Sequence, residues 1–478
     1  MKRALVVFWL VTMAFGDPLA LNNQNSHYFE YRHKATVLVT SGEHYGAVIN
    51  QDFNYSRYLD ELARNHLNLT RIWSGTYREE PGNFKIGNNT LAPRREAFLS
   101  PWLRSDTPGA LDGGNRFDLK RWNPAYFRRL RDFLRQASQR HIIVEVNLFC
   151  TFYEDSMWKA SPLNAANNVN GIGNIPRSEA LSMQHQDLLE IEDEFVRKIV
   201  TEVNSFDNLY FEICNEPYWG KVQPEWQRHI SSVIANTEKR LPQRHLISEN
   251  ISNGSKKIVD PDPNVSIFNF HYARPPSSVE LNYGLARVIG CNETGFDGQA
   301  DSTYRIQGWA FLAAGGALYN NLDYSFAVGH ERGDYRFSKE TPGGGGFEIR
   351  RQLGILARFF QSLDLEELQP AQTLIRLDSP DTTKLYALAA PGKEYVAYLY
   401  RATIQSGAKP HFEVDAKTGT SQIAVELPAG AYQALWLDPK TGTVLSRFHF
   451  DQKNRNRTLT SPAYSEDIVL KIQLQSGS

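Results

Sequence analysis

The chain has 478 residues, 41% of them hydrophobic and 22% charged, and a formal net charge of −1. So long a chain exceeds one ordinary core and implies two domains. The near-neutral balance excludes the strongly basic face that nucleic acid or an anionic membrane recruits. Aromatic residues reach 12%, and surface aromatics can stack on flat apolar ligand faces.

Lys2 and Arg3 precede an apolar run from Ala4 to Phe15, with small residues at Gly16 and Ala20. This reads as a secretory signal over residues 1–20, too short to span a bilayer comfortably. An uncleaved anchor is the competing reading. The mature protein is expected to be secreted or periplasmic, with no membrane association. Cys150, Cys214 and Cys291 are its three cysteines. That odd, small number argues against a disulfide framework, and no Cys/His spacing suits zinc.

From about residue 35 to 363, β-rich runs alternate with amphipathic ones. Strands are expected at 35–46, 67–75, 141–149, 208–214, 245–252, 265–273, 286–295 and 317–326. Helices are expected at 55–66, 123–140, 187–203, 224–241, 304–316 and 346–363. Asn123 followed by Pro124 marks a helix start. Eight strands with intervening helices fit a (β/α)8 TIM barrel, an α/β fold, over 21–363. An open sheet would more often carry a glycine-rich phosphate turn after its first strand, and "SGEHYG" at 41–46 does not fit one. Insertions at 76–121 and 150–186 fall on the side where barrel sites lie. The Asn/Gly-rich run 164–174 within the second reads as a pocket wall or lid. From 364 to 478, short strands with the turn signals "APGKE" and "DPKTG" imply a C-terminal β-sandwich.

Two strand ends share a tripeptide pattern: Cys214-Asn215-Glu216 and Cys291-Asn292-Glu293. Side-chain alternation puts each cysteine on the side of its glutamate, one layer deeper, as a buried filler. A carboxylate ending an apolar strand costs free energy unless something uses it, and Pro217 forbids the strand to continue. Two carboxylates across a barrel mouth suit acetal cleavage. One must be protonated to give a proton to the leaving oxygen, and the other ionised. Burial is expected to raise the pKa of Glu216 and hold its proton.

"ICNEP" closing strand four, "GCNET" closing strand seven and Arg71 in "LTRIW" on strand two resemble the clan A glycoside hydrolases. Family 5, the cellulase family, is the nearest relative by pattern. The resemblance covers about residues 28 to 363. It implies a retaining enzyme with Glu216 as acid/base, Glu293 as nucleophile and Arg71 keeping Glu293 ionised. It further implies that Asn215 binds a sugar 2-hydroxyl and that His271 and Tyr272 lie near the nucleophile. The C-terminal part, with "GAYQALWLDPKTGTVL", resembles collagen-binding-type domains that follow such barrels in bacteria. Packing against the barrel or binding carbohydrate are both open to it.

His44, Asn147 and Asp323 stand at other strand ends as candidate substrate ligands, and Trp219 follows Glu216 as a stacking surface. Trp73, Trp102 and Trp158 are further stacking candidates. The expected partner is an oligo- or polysaccharide, and the double displacement requires no cofactor or metal. A non-catalytic carbohydrate-binding barrel, or a transglycosylase using the same residues, are the alternatives.

Overall fold

The structure, a computed structural model, describes residues 16–378, 383–404 and 412–475. Most of the expected leader, residues 1–15, lies outside them. Eight parallel strands make one sheet: β1 (Leu38–Gly42), β2 (Leu69–Trp73), β3 (Ile143–Cys150), β4 (Leu209–Asn215), β5 (Ile247–Asn253), β6 (Ile267–His271), β7 (Val288–Glu293) and β8 (Leu318–Leu322). Their order is β1-β8-β7-β6-β5-β4-β3-β2. All ladders along that path are parallel. Nearly every strand residue is buried on both faces, as parallel sheets under helices require. The remaining seam, β1 to β2, closes at Asn68. Its N–H donates to the Val39 carbonyl at 3.1 Å and its Oδ1 accepts from the Val39 N–H at 2.8 Å.

Around this barrel run α1 (Tyr55–Arg64), α2 (Pro124–Gln139), α3 (Gln186–Val203), α4 (Pro224–Glu238), α5 (Asp301–Ala313) and α6 (Phe347–Gln361). The expected eight strands and six helices are therefore present, with shifted ends. The expected start at residue 35 belongs instead to a hairpin, Phe29–Tyr31 with Lys34–Thr36. Its two turn residues, Arg32 and His33, both have positive φ, which matches the twist of tight hairpins. Ala20–Leu21 pairs onto this hairpin.

The two insertions are ordered against each other. The first contains the antiparallel pair Trp102–Pro108 and Asn115–Trp122. The Phe117 N–H donates to the Asn167 carbonyl at 2.7 Å, and Val169 returns a bond to Phe117 at 2.9 Å. Asn167 and Asn168 are buried, and their side chains tie down surrounding carbonyls. The Asn-rich run thus forms a built wall.

Past α6 the chain is antiparallel. One sheet is built on Thr383–Ala390, Glu394–Ile404, Asp467–Leu474, Gly430–Leu437 and Val444–Gln452. A second joins Ile375–Leu377, Gln422–Glu426 and Asn456–Thr460. Ile423 and Val425 of the small sheet share a core with Ala397, Leu399, Ala434 and Trp436 of the large one. Along Glu394–Ile404 the alternate residues Val396, Tyr398 and Tyr400 join the barrel's core instead. The period of two thus sends one face into the sandwich and the other onto α5. There Trp309 stacks on Tyr398 with centroids 5.6 Å apart. Buried Arg305 pairs with Asp467 at 2.9 Å and with Glu466 at 2.6 Å.

Candidate active site

The C-terminal strand ends carry a layered polar core. Arg71, 2% exposed, stands at its centre. Its Nε donates to Glu145 of β3, its Nη2 to Glu212 of β4 at 2.8 Å and its Nη1 to Glu293 of β7 at 3.3 Å. Nη2 also donates to Asn215 Oδ1 at 3.1 Å. The guanidinium lies 4.6 Å from the Tyr45 ring centroid, and Tyr45 stacks on Trp73 at 4.1 Å. A buried charge needs this completeness of pairing.

Above that layer sit the two glutamates. A carboxyl oxygen of Glu216, one of Glu293 and a ring nitrogen of His271 all lie within 4.8 Å of one another. Glu293 accepts from Tyr272 at 2.7 Å and from Tyr45 at 3.1 Å. Glu216 accepts from Tyr153 at 2.7 Å and from Tyr218 at 3.1 Å, and its N–H donates to Asn250 Oδ1 at 3.0 Å. His271 Nδ1 stands 2.9 Å from Glu216 and 3.5 Å from Glu293.

Burial pushes the Glu216 carboxyl up, but His271, Tyr153 and Tyr218 together outweigh it, and its pKa is lowered. This corrects the expectation of a raised value: hydrogen bonds to the carboxylate win over desolvation. Burial pushes His271 down, yet Glu293 and Glu216 pull it above its ordinary value. Both shifts act in the sense of an ion pair between the imidazole and the Glu216 carboxylate. Deeper down, burial and then Glu145 push Glu212 up to about 7, against Arg71.

Two glutamates and a histidine could also ligate a metal ion. The Arg71 guanidinium already at Glu293 opposes a second cation there.

Of the other residues singled out in sequence, Asn215 and Tyr272 reach the cluster. Asn215 also donates to the Tyr153 hydroxyl at 3.0 Å. Asn147 lies one layer lower, beside Glu212 at 3.5 Å. His44 pairs with Glu79 at 3.2 Å and stacks against Tyr45. Burial lowers the His44 pKa, and Glu79 more than restores it. Asp323 is committed elsewhere. Its oxygens accept from Arg350 at 2.7 Å, Ser41 at 3.2 Å and the Gly346 N–H at 3.0 Å. That network fixes the entry to α6, so substrate binding is not its evident task. Trp219 is 61% exposed, whereas Trp73, Trp102 and Trp158 are buried and fill core.

Strict alternation misassigns the layers. Glu212 and Asn215 both bond Arg71, so the period of two is broken between them. Asn292 donates to Glu145 and Glu212 while the adjacent Glu293 bonds Arg71. A register shift between β6 and β7 at this point explains it: Phe270 faces Cys291 but His271 faces Glu293. Such a bulge re-aims side chains beside a site. Asn292, not Cys291, is therefore the polar support below Glu293. All three cysteines are free and buried.

Sequence reasoning did not single out Tyr45, Tyr153, Tyr218 or Glu212. "GEHYG", "CTFYED" and "NEPYWG" each place a tyrosine just past a strand end, and that adjacency was the available signal.

The parallel β/α barrel and its β-sandwich are the architecture found in solved glycoside hydrolases. A family 5 glycoside hydrolase from Bacteroides vulgatus ATCC 8482 superposes with a TM-score of 0.63 at 10% identity, over 95% of this chain and 93% of that one. Another solved glycoside hydrolase gives 0.62 at 12% identity, over 97% and 98%. A further B. vulgatus protein, provisionally assigned as a glycoside hydrolase, gives 0.64 at 14% identity, over 96% and 82%. These likenesses extend over the β-sandwich as well as the barrel. No family model matches the chain, and no curated protein matches it.

Proposed function

We propose that this protein is an exported retaining glycoside hydrolase acting on O-glycosidic bonds. The observation that carries the reading is the approach of Glu216 and Glu293, with oxygens within 4.8 Å. Retaining enzymes hold their carboxyl groups about 5–5.5 Å apart, and inverting ones about 6.5–9.5 Å to admit a water. Glu293, with Arg71 and Tyr45 at Oε2 and Tyr272 at Oε1, is the nucleophile that attacks the anomeric carbon. Glu216 is the acid/base. The proton it delivers to the leaving oxygen comes from His271, 2.9 Å away. In the second step the ionised carboxylate takes a proton from the water that attacks the anomeric carbon as Glu293 leaves. Asn215, fixed by Arg71 and Tyr153, is proposed to reach the sugar 2-hydroxyl, with Trp219 flanking the leaving group. His44 and Asn147 would support the pocket wall and floor.

Both glutamates meet at the mouth, which speaks against a non-catalytic barrel. The division into a catalytic unit at 21–363 and an accessory unit at 364–478 belongs to the same proposal, with the accessory unit acting as a packing partner of α5. Export rests on the leader. Leu19 is buried and bonds Asp207 at 2.9 Å, so removal upstream of Leu19 leaves the fold whole. Among the described residues no helix is long and apolar enough to cross a membrane.

A panel of nitrophenyl glycosides of both anomers tests the reading. Proton NMR of the first product should show retained anomeric configuration, with turnover lost in Glu293→Gln. An inverted first product would sink the mechanism.

A further inference from the structure

The first insertion carries a strained aromatic that packs on Tyr153, a hydroxyl donor to Glu216. Phe84 sits in the short turn Asn83–Lys85 with φ +53, a left-handed conformation that bulky residues avoid. Lys85 beside it is also left-handed, at φ +60. Surrounding bonds hold the turn there. The Glu80 N–H donates to Asn83 Oδ1 at 2.6 Å, and Glu79 and Leu91 join the two legs of the loop at 2.9 Å. Asn88 reaches across to the Val328 carbonyl at 3.1 Å, in the loop after β8. Gly87 lies so close to Tyr335 of that loop that a Cβ would stand 2.9 Å from its hydroxyl. The segment is a strap between the loops that follow β2 and β8.

The Phe84 ring meets both halves of the site edge-on. Its centroid is 5.3 Å from Tyr153, the donor to Glu216, and 6.4 Å from Phe296, in the loop after β7. Phe296 in turn packs at 6.0 Å on Tyr272, the donor to Glu293. The four rings, Tyr153, Phe84, Phe296 and Tyr272, form a bar from the acid/base side to the nucleophile side. The exposed Trp219 lies in the short helix Pro217–Gly220 that follows Glu216 and β4.

Resting on the proposed activity, we infer that this bar makes the site a closed pocket that accepts a single terminal glycosyl unit, with the leaving group running out past Trp219. An open cleft would let a chain pass over both glutamates in either direction. Here the strap occupies one of those directions. The enzyme therefore works from chain ends, and Phe84 sets that mode without touching either carboxylate. Backbone strain held in place by its surroundings is characteristic of such positions.

The test compares wild type with Phe84→Gly, which removes the ring at a φ that glycine adopts freely, and with Phe84→Tyr, which keeps it. The aryl-glycoside panel selects the sugar, and the matching hexasaccharide is then digested with time-resolved product analysis. Wild type and Phe84→Tyr should release monosaccharide first. Phe84→Gly should release longer products, with the ratio of oligomer to monosaccharide up roughly tenfold, while it still turns over the aryl glycoside. Oligomers as the first wild-type products, or an unaltered pattern in Phe84→Gly, overturn the inference while leaving the hydrolase standing. Wild-type turnover of no panel member removes the hydrolase reading and this inference with it.

Discussion

We predict that Arg71→Met destabilises the fold strongly and that its cost grows with pH. Arg71 bonds Glu145, Glu212 and Glu293 together, and all four side chains are buried. Removing one partner of a buried pair costs about 3–5 kcal/mol, because a charge is left without compensation. Three orphaned carboxylates do not triple that figure, since protonation offers relief. Glu212 already has a pKa of about 7 in the folded protein against 4.5 as a free side chain, with burial as the main cause and Arg71 opposing it. In wild type the folded state therefore binds more protons than the unfolded between these values, and Glu212 costs stability as pH rises through that window. Without Arg71 its folded pKa moves higher still, so the window extends above pH 7 at about 1.4 kcal/mol per pH unit for one proton. Urea melts of both proteins at pH 6 and pH 8 measure this. The expected loss is about 3–5 kcal/mol at pH 8 and less at pH 6. A loss under about 1 kcal/mol, or one that grows as pH falls, would refute the reasoning that Arg71 compensates buried carboxylates.

Other expectations concern the same residues and the domain contact. Tyr153→Phe removes a hydrogen bond to the Glu216 carboxylate, so the Glu216 pKa rises. The alkaline limb of kcat/KM should then move to higher pH, and a downward shift would contradict the arrangement. Glu216→Ala should lower kcat on unactivated glycosides by roughly 10²–10⁴-fold, with azide restoring turnover of a nitrophenyl glycoside; failure of that rescue would count against the acid/base role. Arg305→Met leaves Asp467 and Glu466 facing α5 uncompensated. The melting temperature should fall and the chain should become sensitive to proteolysis between barrel and sandwich, and unchanged digestion would show that the contact is dispensable. Gly345→Ala forces a Cβ to 2.1 Å from Asp323 Oδ1 at φ +146. It should lower the melting temperature while Gly346→Ala, with open space around its Cβ, does so mainly through its φ of +117.

The barrel was legible because local signals agreed with one another. Asn123 caps α2 by accepting from the Ala125 N–H at 3.1 Å, with Pro124 at the first helical position as its sequence suggested. The strands showed as short apolar runs at helix-length spacing, which a parallel sheet buried on both faces must show. Strand ends were less readable. Ala35, Thr36 and Val37 run on into β1 without a turn signal, yet the twist of the Arg32-His33 turn folds Lys34–Thr36 back into a hairpin. The short helices Asp155–Ala160 and Ser277–Asn282 were missed because six residues hold too few turns for a periodicity to register.

The site was half legible, and the division has a physical cause. Glu216, Glu293 and Arg71 could be found because each sits on or at the end of a strand, and strand order alone carries them to the mouth. Their hydroxyl donors could not be ordered in that way. Tyr45, Glu216 and Tyr272 all adopt positive φ, at +65, +47 and +50, although none is glycine. Each bend is disfavoured locally, so no local pattern announces it. It persists because the surroundings over-determine it: Tyr45 wedged between Arg71 and Trp73, Glu216 held by its N–H to Asn250, Tyr272 donating to Glu293. The same bends decide the chemistry. They turn Tyr45 and Tyr272 onto one carboxylate and bring the other out of the β4 ladder toward Tyr153, Tyr218 and His271. A sequence that encoded only the barrel would place two glutamates at its rim. These three left-handed residues, with the bulge at Asn292, are what bring them within reach of one another and of His271.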